Sequence, residues 1–387
     1  MTVTGDGGRA AAGAAAAEPP TLDVPGWLRA LVDGLASGLR EVVLPSLGSA
    51  FSRGLTGRAA GGDTTFAIDE LAEDYLASYL TQRDLPVAVY SEDRGLVRFG
   101  GSTPEYVLIV DPIDGTRPAA AGFEAACVSV AAARASDRPV MSDVVYGVVA
   151  EIKEGGVFSA VRGGGARITT PDGSERCVSI SSNTDLTRLF WTIGFRGRPA
   201  LELATALGGL IDLSSVDGAV FDIGSATYSM TRILTGQLDA YVDVGPRMIE
   251  LAPWVEARFR EVGKGAVLNN SPHDVAASTL ILREAGCIVT DAAGRSLDDR
   301  PLLGSDMSHQ MSVLACASPA LHEAVLAEVA RGIDVLVGAG RSAAGAAAAG
   351  KAAARAAATG VSAAGLEVAP EGPHRFSAGP YVGSEAS

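Results

Sequence analysis

The chain has 387 residues and a formal net charge of −14 at pH 7, with 31 basic and 45 acidic side chains. This acidic balance argues against a nucleic-acid-binding protein, which needs a basic surface to neutralise phosphates. The four cysteines stand far apart, no apolar run reaches the length of a membrane span, and the first residues lack the pattern of a signal peptide. These features predict a cytoplasmic protein with a large core and neither a nucleic-acid nor a membrane partner.

Composition separates an ordered centre from two biased ends. Residues 1–22 are rich in Ala and Gly, and residues 334–387 are rich in Ala, Gly and Ser. Both ends are predicted to be disordered, because Ala and Gly bury too little surface to offset the entropy lost on ordering. The pattern of strands and helices between them predicts two domains, at residues 23–183 and 184–333.

In the first predicted domain, acidic residues follow the ends of strands. A strand at 86–90 precedes Glu92, and a buried strand at 107–110 runs into Asp111-Pro-Ile-Asp-Gly-Thr116. Pro112 is predicted to end this second strand, because proline has no N–H to donate to a sheet. Three further apolar segments predict an antiparallel meander, at residues 125–133, 144–150 and 156–161.

The second predicted domain alternates strands with helices. Helices are predicted at 199–211, from Gly224-Ser-Ala226 onward, and from Pro272 to a stop at Gly286. Residues 245–270 are predicted to form an amphipathic helix with flanking loops. A strand at 177–180 is predicted to end the first domain. Strands of the second are predicted at 188–194, 219–221, 238–243, 287–290 and 311–315, before a last helix at 318–330.

Two carboxylates three residues apart form a candidate metal site. Asp111 and Asp114 leave a strand end together, and Gly115 and Thr116 follow with backbone N–H groups that suit an anion. Paired carboxylates beside such a group need a divalent cation to lie close together, and oxygen ligands favour Mg²⁺. Taken alone the hexapeptide is equally a polar turn, since Asp, Pro and Gly are the usual turn residues.

Several segments together resemble the inositol monophosphatase family, including archaeal-type enzymes that act on inositol and fructose phosphates. They are Gly62-Asp-Thr-x-x-x-x-Asp69-x-x-Ala-Glu73, Ser91-Glu92-Asp93, Asp111-Pro-Ile-Asp-Gly-Thr116, Gly224-Ser-Ala226 to Asp239-Ala-Tyr241, and Asp274-Val-Ala-Ala277 with Glu284-Ala-Gly286. The resemblance covers residues 24–331. It implies an α/β protein with the family's layered αβαβα sandwich, which is also that of fructose-1,6-bisphosphatase, with an α+β N-terminal half and an α/β C-terminal half.

The resemblance implies that the acids hold two or three Mg²⁺ ions. The implied ligands of the two tighter ions are Glu92, Asp111, the carbonyl of Ile113, Asp114 and Asp274. Asp69, together with Glu92, would reach a weaker third ion. The cations would neutralise a phosphate monoester and activate the attacking water, so that no phosphoenzyme is required.

The resemblance also assigns catalytic and substrate-binding roles. The implied catalytic residues are Asp69, Glu92 and Thr116, of which Thr116 and Asp69 would orient and deprotonate the water. The implied substrate contacts are Asp114, Gly115, Thr116, Gly224, Ser225, Ala226 and Asp243, the last standing where the family often has a glutamate. The implied protein is a homodimeric, Mg²⁺-dependent phosphomonoesterase that acts on inositol 1-phosphate or a related small sugar phosphate.

Departures from the family pattern leave the substrate open. His273 stands where the family usually has tryptophan, either at the edge of the site or in an incidental surface position. Arg117 is a candidate for holding a second anionic group. The span from Asp243 to Asp274 is longer than in compact members, and its basic residues lie either at the mouth of the pocket or on a solvated helix face; they are Arg247, Arg258 and Lys264.

Other functions remain open beside this interpretation. Within the same superfamily the substrate would be fructose 1,6-bisphosphate, 3′-phosphoadenosine 5′-phosphate or histidinol phosphate. A different class is a phosphatase-like binding protein without turnover. The presence of all the metal acids and of Thr116 argues against that class.

Overall fold

A computed structural model describes the backbone of residues 22–59 and 61–358, and their side chains except at 343–350 and 352–358. Of these residues, those up to 338 and those from 339 to 358 belong to two separate compact units. The predicted leader lies outside the described residues, apart from Leu22. No helix in the described part of the chain is long and apolar enough to cross a membrane.

Helices and strands alternate along the described chain. The α-helices are α1 Gly26–Val43, α2 Ala67–Thr81, α3 Thr116–Ala121, α4 Ala200–Leu213, α5 Ala226–Leu234, α6 Gly245–Leu251, α7 Glu256–Val262, α8 Pro272–Glu284 and α9 Pro319–Ala358. The strands are β1 Leu55–Arg58, β2 Thr64–Phe66, β3 Val87–Ser91, β4 Gly95–Phe99, β5 Tyr106–Asp114, β6 Cys127–Arg134, β7 Val144–Glu151, β8 Val157–Val161, β9 Ala166–Thr169, β10 Glu175–Arg176, β11 Phe190–Ile193, β12 Ala219–Phe221, β13 Ala240–Asp243, β14 Ile288–Thr290 and β15 Val313–Cys316.

The first large sheet has eight strands in the order β10-β9-β8-β7-β6-β5-β3-β4. All its pairs are antiparallel except β3 with β5, and the predicted meander is confirmed as β6, β7 and β8. Both faces are buried at the central strands β5, β6 and β7, whose alternate side chains point to opposite faces. In β5, Leu108 and Val110 join the core around α1 and α2, whereas Val107 and Ile109 join the core around α5 and α8.

The second sheet has five strands in the order β12-β11-β13-β15-β14. Strands β12, β11 and β13 are parallel, so their carboxyl ends share one edge, and β15 runs antiparallel to its neighbours. Helices α4 and α9 meet at Ala206 and Gly332 and form the outer layer. The order of helix, sheet, helix, sheet and helix layers confirms the predicted αβαβα sandwich.

Pro112 does not end its strand, contrary to the prediction. Asp111 pairs with Ser129 and Asp114 pairs with Cys127, so Pro112 and Ile113 together oppose a single residue of β6. The missing N–H of proline is accommodated in this bulge, after which pairing resumes. A bulge bends a strand and redirects its side chains, and here it lies between the two aspartates of the hexapeptide.

Other predictions need smaller corrections. The predicted strand at 177–180 does not form, because Ser179 donates its N–H to the carbonyl of Leu234 rather than to a strand. The segment 245–270 forms two short helices, α6 and α7, instead of one. Helix α9 continues through Ala358, past the predicted start of a disordered tail, and Leu336 is buried in the core.

The predicted division into two domains stays a prediction. The two sheets separate between Arg176 and Phe190, around the predicted boundary at residue 183. The unit 1–338 nevertheless contains both sheets, since α8 packs against strands of both. The short β1–β2 hairpin was not predicted, and it brings Asp63 close to the strand ends that carry the acids.

Candidate metal centre

Three aspartates meet at one point of the described structure. Asp111, Asp114 and Asp274 each offer a carboxylate oxygen, and these oxygens lie within 4.8 Å of one another. Two of the residues come from the bulged end of β5. Asp274 lies in the first turn of α8, where its carboxylate also accepts the backbone N–H of Ser271 in a capping box. Oxygen ligands at this spacing fit a hard divalent cation such as Mg²⁺.

Glu92 and Ile113 line the same cavity, of about 290 Å³, as these aspartates. Glu92 directly follows β3, which lies parallel to β5, so the two strand ends deliver their acids to one edge of the sheet. The backbone carbonyl of Ile113 accepts a hydrogen bond of 3.2 Å from the hydroxyl of Thr116. The structure therefore brings together all five predicted metal ligands.

The pKa values of the acids reflect a cluster of buried like charges. Burial, followed by the repulsion of Asp274, raises the pKa of Asp114 to about 7, and burial raises the pKa of Asp274 to about 6. Burial first, and then the neighbouring carboxylates, also raise the pKa values of Glu92 and Asp111. Such carboxylates are unfavourable together unless a cation neutralises them. This donor set thus fits the Mg²⁺ that the resemblance implies.

Thr116 and Asp69 form a hydrogen-bonded pair at the edge of the acids. The Thr116 hydroxyl contacts Asp69 Oδ1 at 3.0 Å, and Asp69 Oδ2 accepts the backbone N–H of Phe66 at 2.8 Å, which caps α2. Burial raises the pKa of Asp69 to about 7. A carboxylate with a pKa close to neutrality suits proton transfer. The structure places these residues together, as the resemblance implied.

The turn after β5 is built around Gly115. This residue has φ +94°, and a Cβ there would lie 2.5 Å from the carbonyl oxygen of Ala125. Only glycine fits such a position without displacing neighbouring backbone. Gly115 and Thr116 both line the cavity, and their N–H groups begin α3. The predicted turn thus lies next to the metal acids, and its role in binding an anion stays a prediction.

The residues before α5 hold Asp114 in place. The Ser225 hydroxyl donates to Asp114 Oδ2 at 2.8 Å, and the backbone N–H of Thr227 donates to the same oxygen. Gly224, Ser225 and Ala226 line a second cavity of about 410 Å³ that shares Asp114 and Asp274 with the first one. This arrangement places the three predicted substrate contacts beside the metal site, with Ser225 already bonded to a metal acid.

Asp243 does not face this cavity, which corrects its predicted role. Its side chain is fully buried and forms an ion pair with Arg198, whose side chain is only 4% exposed. Arg198 lines the second cavity instead, together with Tyr241 and Asn270. Asp243 therefore contacts Arg198 rather than the cavity, so the structure gives its predicted contact with substrate no support.

His273 is buried, so the predicted surface role is wrong. It lies behind Asp274, with Nε2 3.8 Å from Asp274 Oδ2, and its backbone carbonyl accepts the Ser129 hydroxyl at 3.4 Å. Burial lowers the pKa of His273 to about 4, so the ring is neutral at pH 7. His273 also lines a small cavity together with Glu92 and Asp274, so of the two predicted alternatives the structure favours a position at the edge of the site.

The basic residues of the longer segment also have structural partners. Arg247 pairs with Glu250 at 2.8 Å, and Arg258 pairs with Glu202 at 3.2 Å as well as with Glu261. Neither arginine is among the residues that line the two cavities. Of the two predicted alternatives, the structure favours a solvated helix face over the mouth of the pocket.

The sequence interpretation missed three charged residues of the site. Asp63 and Arg196 line the cavity with the metal acids, and Arg198 lines its neighbour. The available signal was Phe195-Arg-Gly-Arg198, which directly follows β11 at the edge where parallel strands end. Arg117, which was considered for a second anion, also lines the first cavity.

Comparison with known proteins agrees with this geometry. A sequence model of the inositol monophosphatase family matches residues 30–334. The chain is 27% identical over 297 residues to a fructose-1,6-bisphosphatase/inositol-1-monophosphatase of Methanothermobacter thermautotrophicus, covering 76% of this chain and 92% of that one. It is 24% identical over 300 residues to a fructose-1,6-bisphosphatase of Pyrococcus furiosus, covering 78% of this chain and 96% of that one.

A solved structure supports the fold. Mycobacterium tuberculosis SuhB superimposes with a TM-score of 0.55 and 23% identity, covering 80% of this chain and 97% of that one. The matched region contains every acid of the site described above. The chain therefore belongs to the inositol monophosphatase family, whose members are in general Mg²⁺-dependent phosphatases that hydrolyse phosphoric monoesters.

Proposed function

We propose that this protein hydrolyses inositol 1-phosphate or a related small sugar phosphate. The observation that carries the proposal is the convergence of Asp111, Asp114 and Asp274 within 4.8 Å, beside the hydrogen-bonded pair of Thr116 and Asp69. Relatives named as inositol-1-monophosphatase and fructose-1,6-bisphosphatase support the class of substrate.

The acids have distinct proposed roles. Glu92, Asp111 and the Ile113 carbonyl would hold one Mg²⁺, and Asp111, Asp114 and Asp274 would hold a second. Asp69, together with Glu92, would reach a weaker third. When bound, Mg²⁺ neutralises the phosphate dianion and lowers the pKa of the attacking water. Asp111 is shared, so its loss affects both of the tighter sites.

Thr116 and Asp69 supply the proposed route for the proton. The Thr116 hydroxyl is held between Asp69 Oδ1 and the Ile113 carbonyl, which fixes the direction of its lone pairs. In that orientation its oxygen accepts a proton from water while its own proton passes to Asp69. The pKa of Asp69, about 7, suits a group that receives a proton near neutral pH.

The second cavity is the proposed site for the alcohol part of the substrate. Polar groups line it on several sides and lie next to the metal acids Asp114 and Asp274, and a few convergent polar groups are what fixes the orientation of a small ligand. Donors and acceptors of this kind fit hydroxyl groups; the residues are Arg198, Asp222, Ser229, Tyr241 and Asn270.

Fructose 1,6-bisphosphate is the second candidate substrate. The observation that favours it is the guanidinium pair of Arg196 and Arg198, which line the alcohol side of the site. A second phosphate would be attracted by such groups. A bisphosphate and a monophosphate therefore both belong in the first assay.

We also propose a cytoplasmic homodimer, as the resemblance implies. All four cysteines are free thiols, which suits a reducing compartment. Phe190 and Phe221 lie beside the edge strand β12 with ring centres 6.4 Å apart, and both are more than 40% exposed, which suits a surface covered by a second copy. Light scattering of the purified chain measures the mass, and cell fractionation the compartment.

Phosphate release by the purified full chain tests the function. The substrates are inositol 1-phosphate, fructose 1,6-bisphosphate, 3′-phosphoadenosine 5′-phosphate and histidinol phosphate, each with Mg²⁺ and with excess chelator. We expect release from one of the first two, and its loss with chelator. Absence of release from all four, or release that persists with chelator, would contradict the proposal.

A further inference from the structure

Asp63 joins two arginines beside the metal acids. Its Oδ1 accepts a hydrogen bond of 3.2 Å from Arg117, and its Oδ2 pairs with Arg196. The backbone N–H of Thr64 also donates to Oδ1, at 2.8 Å, which fixes the carboxylate. All three charged side chains line the cavity of about 290 Å³ that contains Asp111 and Asp114.

The two arginines reach Asp63 from different elements of the fold. Arg117 directly follows Thr116 and interacts electrostatically with Glu92 and Asp69. Arg196 lies in the loop after β11 and interacts with Asp274. Elements of both sheets therefore bring one guanidinium each to the same carboxylate. The Arg117 guanidinium also lies 5.6 Å from the centre of the Phe66 ring, which limits its movement.

Stability alone gives a weak account of this arrangement. The side chains of Arg117 and Arg196 are 43% and 36% exposed, and ion pairs of exposed arginines contribute little to folding. Asp63 is only 14% exposed and sits between the two guanidiniums, with one oxygen on each. A carboxylate placed in this way has the charge and the acceptor positions of a small bound anion.

We propose that Arg117 and Arg196 form a clamp for a phosphate group of the substrate, and that Asp63 holds the clamp until phosphate replaces it. The proposal rests on the proposed function, which supplies the phosphate. Each arginine contacts Asp63 through one nitrogen, and a guanidinium has five N–H donors in a fork that matches phosphate oxygens. A phosphate dianion carries more charge than a carboxylate and competes effectively for both guanidiniums.

Calorimetric titration of inorganic phosphate into the full chain, saturated with Mg²⁺, tests the clamp without turnover. Because hydrogen bonds to charged groups are strong, we expect Arg117→Gln and Arg196→Gln each to raise the Kd about tenfold. Asp63→Asn should lower the Kd severalfold, since it removes the competing charge. The matched control is Arg295→Gln, an exposed arginine paired with Asp291, which should leave the Kd unchanged.

The direction in which Asp63→Asn changes the Kd for phosphate distinguishes the clamp from a purely structural role of Asp63. If Asp63 only supports the arginines, Asp63→Asn weakens phosphate binding, and that result overturns the proposal. Unchanged binding in both arginine variants, or no phosphate binding by the parent chain, also overturns it. Circular dichroism of each variant checks that it folds.

Kinetics with two substrates then identify which phosphate the clamp binds. If it holds the group being transferred, both arginine variants raise KM or lower kcat equally for inositol 1-phosphate and fructose 1,6-bisphosphate. If it holds a second phosphate, only the bisphosphate is affected. Equal kinetics of variants and parent on both substrates count against the clamp. If the parent hydrolyses neither ester, the proposed function fails, while the phosphate titration still decides the clamp.

Discussion

The acids and the arginines of this site are built in different ways. Asp111 and Asp114 leave a bulged strand, and Asp274 caps a helix, so regular backbone structure sets their positions. Arg117 and Arg196 lie on the solvent side and are held mainly through their side chains, by Asp63. The difference teaches that backbone geometry fixes the proposed metal ligands here, whereas side-chain ion pairs hold the arginines that we propose select a ligand.

The largest effect is expected from Asp111→Asn. This change removes a charge from both of the proposed tighter Mg²⁺ sites, so phosphate release should fall more than about 1000-fold. Asparagine keeps the side-chain oxygen that accepts the Ile113 N–H at 3.0 Å, so the fold should persist. Phosphate release measures the activity of the variant, and a thermal melt followed by circular dichroism measures whether its fold persists. Substantial activity in the variant would remove Asp111 from the metal site.

A smaller loss is expected when only the proton route is cut. Thr116→Ala removes the hydroxyl that contacts Asp69 and should lower kcat about 100- to 1000-fold, with little change in KM. Steady-state kinetics with Mg²⁺ measure both kcat and KM. Thr116→Ser keeps the hydroxyl and should stay within about tenfold of the parent. Equal rates for the alanine and serine variants would show that the hydroxyl takes no part.

The acidic side of the site was predictable because each acid is tied to local signals. Val107 to Val110 are β-branched or apolar and read as a strand, and Pro272 before Asp274 reads as a helix start. Many of the strands and helices followed from the same signals, whereas the αβαβα sandwich followed from the resemblance. The bulge at Pro112 was not predicted, because a proline in the sequence indicates a break in strand pairing but not whether pairing resumes after it.

The arginine side was not predictable in the same way. Arg196 meets Asp63 across 133 residues of sequence, and Arg198 meets Asp243 across 45. Such pairs leave no periodic pattern, because they depend on how two sheets and a hairpin pack. Asp243 illustrates the point: its position at a strand end was correctly predicted, but the direction of its side chain depends on a loop from another strand.

Asp243→Asn tests the buried pair and should act on stability. Both side chains are at most 4% exposed, so the change leaves the Arg198 charge buried without its counter-ion. We expect the free energy of unfolding in urea to fall by about 3 kcal/mol. The control Glu256→Gln breaks an exposed pair with Arg260 on α7 and should change it by less than about 1 kcal/mol. Equal effects would contradict the buried role of Asp243.

The acids should also make Mg²⁺ binding depend on pH. The pKa values of Asp114, about 7, and Asp274, about 6, are raised above the usual range by burial. Below those values the carboxyls are neutral, so protons compete with the cation and Mg²⁺ affinity should fall about tenfold per pH unit from 7 to 6.

The same raised pKa values lower the stability of the metal-free chain as the pH rises, whereas the affinity for Mg²⁺ increases as the pH rises. Carboxyls with raised pKa values contribute stability that is present at low pH and lost as pH rises through 7. The gain in melting temperature on adding Mg²⁺ should therefore grow from pH 6 to pH 8. Asp111→Asn should show little gain at any pH. A gain in the parent that is constant with pH would contradict the link between these acids and the metal.

The smallest effect is expected from Arg258→Gln, which sharpens the contrast between arginines. Arg258 is 44% exposed and is paired with Glu202 and Glu261, away from the residues that line either cavity. We expect KM and kcat to stay within about twofold for inositol 1-phosphate and for fructose 1,6-bisphosphate, since exposed pairs contribute little. Arg196→Gln, measured in the same assays, is the variant that we expect to change the kinetics.

Arg258→Gln is expected to have little effect because of the way the longer segment, residues 245–270, packs against the core. Met248, Val255 and Phe259 from α6, α7 and the turn between them are fully buried in the core. These side chains anchor the segment to the body of the protein, and its arginines pair with nearby glutamates. A change of substrate preference in Arg258→Gln would show that the segment reaches the ligand after all, and the extra length would then act in specificity as well as in packing.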